Sequence, residues 1–118
     1  MLYGFIHKYR DYLILAAVSL ILLIPLFWGG FYQSHDGPAH VARIPQYLKA
    51  FQHGQFPPRW APTLNYGYGS PVFIIFYPLG GYLGALGHVL GLSYETSFSA
   101  VISLFFVLGP LLFYLWVS

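Results

Sequence analysis

An all-α membrane protein, with three transmembrane helices and a long helical extracytoplasmic loop between the first and second, is the fold that this sequence predicts. Three observations predict it. Hydrophobic residues make up 58% of the 118 and charged residues only 7%, where a soluble domain carries about a quarter charged residues. The apolar residues fall into three long stretches. Almost everything polar is gathered between Gly29 and Pro71, GGFYQSHDGPAHVARIPQYLKAFQHGQFPPRWAPTLNYGYGSP.

Residues Met1 to Asp11 hold His7, Lys8, Arg10 and Asp11, and the apolar run that follows, 12–28, is about the minimum for crossing a hydrocarbon core of roughly 30 Å. It ends in Phe27, Trp28 and a glycine pair rather than a small-residue cleavage site, which predicts an uncleaved anchor. The loop, 29–70, opens with two helix-start candidates, Ser34 and Asp36, and with Pro38 suited to a first turn. An interfacial helix is expected over 37–52. At about 100° per residue Val41, Ile44, Leu48 and Phe51 share one apolar arc, and Asp36, His40, Arg43 and Tyr47 share the neighbouring face. Pro45 should kink or split that helix, and Gly54 should stop it.

From Gln55 to Ser70 four breakers or more interrupt any regular element, so an ordered aromatic connector is expected there. The second span is expected over 71–92, kinked by Pro78, with Gly80/Gly84 and Gly87/Gly91 at spacings that permit close helix approach. The third is expected over 97–117. Three spans place the two termini on opposite sides. The dense basic start places the N-terminus in the cytoplasm and the loop outside. The chain ends on an apolar run, and an N-terminal fragment of a larger protein is the expectation.

Composition excludes several function classes. Without cysteine there is no disulfide framework or thiolate chemistry. A net charge of +2 without a basic run gives no footprint for nucleic acid. Membrane lipids are the expected surroundings.

Chemistry, if present, centres on Asp36. A carboxylate beside His35 and His40 and near Arg43 can act as general base toward a hydroxyl. It can also cap the helix, or join His35 and His40 around a divalent metal. Arg43 and Arg59 are suited to a phosphate headgroup, because a guanidinium makes paired hydrogen bonds to it. Lys49 lies on the far side of the wheel and fits general attraction to anionic lipid. Tyr66 and Tyr68, with Trp60, can stack on sugar rings or anchor at the interface.

The run SHDGPAHVARI, followed by GQFPPRWAPTLNYGYGSPVFIIFYPL, resembles the N-terminal part of the polytopic GT-C type membrane glycosyltransferases. The likeness is greatest to large bacterial and archaeal membrane proteins described as YfhO-like or as 6-pyruvoyl-tetrahydropterin synthase-related. The resemblance implies a bacterial or archaeal cytoplasmic membrane, a polyprenyl-phosphate-linked sugar donor, and Asp36 as the essential acid of the first outside loop. By position it implies that His40, Arg43 and Arg59 lie near that acid, and that the remaining transmembrane helices of a parent protein complete the site. The function expected is thus part of a lipid-linked sugar transferase. The alternative is a non-enzymatic module that packs against partner helices or binds lipid.

Overall fold

The computed structural model describes residues 2–28, 30–31 and 34–118, with 2–8 described as backbone only. The side chains of His7 and Lys8, and the expected loop start at Gly29, lie outside the described residues. Among the described residues there are five α-helices and no strand: α1 Leu2–Phe27, α2 Gly37–Gln52, α3 Val72–Ile75, α4 Leu79–Val89 and α5 Tyr94–Val117. They fall into two compact units, one built from Met1–Tyr32 and Ile102–Ser118, the other from Gln33–Val101.

In the first unit, Tyr9–Phe27 and the helix Tyr94–Val117, shared with the second unit, are long and apolar enough to cross a membrane. At about 1.5 Å per residue, their 19 and 24 residues reach roughly 28 and 36 Å. These are two of the three expected spans. Pro25 and Pro110 sit inside them without ending either helix. Near the start of α1, Asp11 accepts a hydrogen bond from the Tyr114 hydroxyl near the end of α5, and the Tyr12 ring meets Tyr114 edge-on at 5.1 Å. The two helices are therefore antiparallel.

The expected span over 71–92 is not a continuous helix. It consists of the four-residue α3, an extended Phe76, and the 11-residue α4. Pro78 explains the break, since it biases Tyr77 toward extended backbone and offers no N–H to continue α3. Alone, α4 rises only about 16 Å, half of a hydrocarbon core.

The second unit is organised around α2. Ile44, Tyr47 and Ala50 are buried with Ala61, Phe73 and Ala85, and this cluster is its core. The buried face takes in Tyr47, expected on the polar face, while Val41, Leu48 and Phe51 of the expected apolar arc are only half-buried. Glycines bring α4 against it. A Cβ at Gly81 would run into the Tyr47 ring, and one at Gly84 would stand 2.8 Å from Ile44 Cδ1. Of the four glycines expected to permit close approach, Gly84 thus meets Ile44, and a Cβ at Gly87 would meet Ser97 Oγ at 3.0 Å. One at Gly80 would have only Val101 Cγ1 at 4.0 Å, and one at Gly91 nothing within 4 Å. Gly81, outside that pattern, makes the tightest approach. Pro45 neither splits nor ends α2: it removes one backbone bond, and the burial of Ile44 and Tyr47 on either side holds the helix together.

Both ends of α2 are satisfied locally. The Ser34 hydroxyl accepts from Gly37 N at 3.0 Å, so Ser34 supplies the side-chain cap. At the other end Gly54, at φ +74, takes the left-handed position, with its N–H on Phe51 O and that of Gln55 on Ala50 O.

Candidate functional site

The polar face of α2 begins at Asp36, whose backbone is already helical at φ −103 and ψ −4 and whose side chain makes no capping hydrogen bond. The capping role weighed for it from the sequence belongs to Ser34 instead. Its carboxylate is paired with its neighbour: His35 Nδ1 and Asp36 Oδ1 are 3.0 Å apart, and the side chains are 98% and 75% exposed. A carboxylate only accepts, so the imidazole N–H donates, and Oδ2 is left facing solvent.

Two turns along, His40 and Arg43 form a second group. The Arg43 guanidinium donates from Nη1 to His40 Nδ1 at 3.1 Å. Because guanidinium has no acceptor, the His40 proton sits on Nε2. The His40 ring stacks on Phe98 at 5.5 Å, and the Arg43 guanidinium carbon lies 3.8 Å from the centre of the Phe76 ring. Ring face and imidazole hold the guanidinium half-buried. No acid occurs between Gly37 and Tyr94, so the sequence places no carboxylate in this stretch to neutralise it. Below it, burial pushes the Tyr47 phenol above the usual tyrosine range, helped by Tyr82 and opposed by Arg43.

The predicted site residues therefore divide. His35 joins Asp36, and His40 joins Arg43, while Asp36 O accepts from His40 N at 3.0 Å as the first helical bond. Among the described residues no hydrogen bond, ion pair or ring contact links Asp36 to Arg43. No group of three His, Cys, Asp or Glu residues converges to hold a metal, so the proposed trio His35, Asp36 and His40 does not form a ligand set among the described residues. The Asp36 partner is His35, and the His40 Nδ1 lone pair is taken by Arg43.

Arg59, Tyr66 and Tyr68 belong to a separate structure, the connector. Gln55 Oε1 accepts from the backbone of Arg59 and Trp60 at 3.3 and 3.1 Å. A two-bond bridge between Ala61 and Ser70, at 2.8 and 3.0 Å, closes the loop that follows. At its tip Asn65 and Tyr66 take left-handed backbone, and the Tyr66 and Tyr68 side chains stand out fully or nearly so.

Sequence reasoning missed the residue that fixes this connector. Gln46, buried on α2, brackets Thr63: its amide nitrogen donates to Thr63 Oγ1 at 2.7 Å, and its oxygen accepts from Thr63 N at 3.1 Å. Lys49 Nζ reaches the same hydroxyl at 3.2 Å. At about 100° per residue Gln46 falls opposite the arc of Val41, Ile44, Leu48 and Phe51, so helical periodicity gave no signal for its burial, which comes from the connector folding over it.

Searched against protein-family models, the chain matches none, and no solved structure matches it. It is 25% identical over 108 residues to an uncharacterized protein of Lactococcus lactis subsp. cremoris (strain MG1363). That alignment takes in 91% of this chain and 18% of the relative, so the chain spans about a fifth of the length of the protein it matches.

Proposed function

We propose that this chain is part of a GT-C-like membrane glycosyltransferase that takes its sugar from a polyprenyl phosphate at the outer face of the membrane. The polar face of α2 carries the proposal. It presents an exposed carboxylate with a solvent-facing oxygen and, two turns on, a guanidinium seated on Phe76, with no further acid between Asp36 and Glu95. Seven residues of helix separate the two positions by roughly 10 Å along the axis, and near enough to the same azimuth that one sugar ring fits between them.

In this scheme Asp36 Oδ2 takes the proton of the acceptor hydroxyl as that oxygen bonds to the anomeric carbon. The bond from the same carbon to the donor phosphate oxygen breaks, and its electron pair leaves on the phosphate. Arg43 donates to the departing phosphate, held for that task by His40 and Phe76. His35 orients the carboxylate. The exposure of Asp36 means that further helices must supply walls to exclude water, and the greater length of the Lactococcus relative leaves room for them.

The test is Asp36→Asn in the longer protein that this scheme requires. Transfer from a lipid-linked sugar is expected to fall on the order of 100-fold to 10,000-fold, the usual worth of a general base. Transfer at the wild-type rate would remove Asp36 from the mechanism. A non-enzymatic module binding lipid or partner helices is the rival, favoured by outward apolar side chains such as Phe113 and Trp116 on α5. It predicts no transfer activity at all, with or without the substitution.

A further inference from the structure

We infer that the connector from Gln55 to Ser70 is a docking surface for an anionic lipid bilayer, independent of any sugar transfer on α2. It displays four aromatic side chains that the fold leaves uncovered: Phe56 at 83%, Trp60 at 44%, Tyr66 at 100% and Tyr68 at 82% exposure. This display is built and held in place. Gln55 ties down Arg59 and Trp60, Gln46 ties down Thr63, and the Ala61–Ser70 bridge closes the tip. The Trp60 indole packs so closely on Gly69 that a side chain at 69 would displace it.

Charge selects the occupant. Arg59 stands on the connector and Lys49 reaches its base at Thr63, both exposed, and with no acid from Gly37 to Tyr94 the sequence provides nothing to offset them. Aromatic side chains with polar handles beside uncompensated cations match the headgroup layer of an anionic membrane. The chain brings such a surface within reach, since this segment lies in sequence between the two helices long enough to cross a bilayer. Tethering of that kind raises the effective concentration of lipid at the connector and makes a weak individual attachment sufficient.

The test uses Trp28→Phe and Trp116→Phe to leave Trp60 as the sole tryptophan of the three. The full chain is reconstituted in vesicles of brominated phosphatidylcholine, alone or mixed with brominated phosphatidylglycerol. In the mixture Trp60 should be quenched by bromine and shielded from aqueous acrylamide, and added salt should reverse both. Arg59→Gln and Lys49→Gln should each lower the docked population about fivefold, with circular dichroism unchanged. Equal acrylamide access in the two lipids, or quenching indifferent to salt, overturns the inference. So does shielding of Trp60 by a soluble oligosaccharide without phosphatidylglycerol, which would make the aromatics a glycan platform instead.

Discussion

The Tyr114 hydroxyl donates to Asp11 Oδ2 at 2.9 Å across 103 residues of sequence. One residue lies early in α1 and the other late in α5, so the start of one long apolar helix meets the end of the other. Two crossings with this contact predict both chain ends on one side of a membrane, where three spans predict opposite sides.

This topology is directly measurable because the chain contains no cysteine. Tyr9→Cys and Ser118→Cys, introduced singly, should be labelled by an impermeant maleimide from the same side of sealed vesicles. Labelling from opposite sides would establish a further crossing between them.

Adjacent glycines of α4 should respond differently to one methyl group. Gly81→Ala drives a Cβ into the Tyr47 ring and should cost about 1–3 kcal/mol. At Gly80 the nearest side-chain atom, Val101 Cγ1, is 4.0 Å from the added Cβ, so Gly80→Ala should be neutral or stabilising by up to about 1 kcal/mol. Thermal unfolding in detergent, followed by circular dichroism, separates the two.

Thr63→Val should cost about 1–3 kcal/mol, because it leaves the buried Gln46 amide nitrogen without its hydroxyl partner. The same unfolding measurement checks it, and protease cleavage within the connector should speed up in parallel.

Tyr47 should make the fold sensitive to alkali. Burial raises its ionisation above the ordinary value of 10.0, so near and above that pH the unfolded chain gives up the phenol proton before the folded one does. The folded state then binds more protons, and stability falls as pH rises. Chemical unfolding at increasing pH should show this loss, and Tyr47→Phe should remove its Tyr47 component.

How much of this was legible in the sequence depends on the range of each interaction. The extent of α2, the first-turn proline and the Gly54 stop are local, and the sequence pattern placed them where they stand. So are the apolar runs that become α1 and α5. The Pro78 break went further than a kink: the proline restrains Tyr77, which is 74% exposed, and Phe76 is already extended. The four-residue spacing pointed to Gly80, but Gly81 is the glycine that faces Tyr47, which only the placement of α2 reveals. Gln46 and Thr63 are 17 residues apart and meet only because the connector folds back. The choice of His35 over Arg43 as the partner of Asp36 is a matter of side-chain rotamers, which helical spacing does not encode.

The central claim is that Asp36 and Arg43 act on one sugar phosphate as a pair, and a double-mutant cycle on transfer rate in the longer protein tests it most directly. Asp36→Asn and Arg43→Gln should each cost on the order of 100-fold or more, and the double variant should be little worse than the more damaged single, as for groups that work as a unit. Losses that multiply independently, or either single variant at full rate, would contradict it.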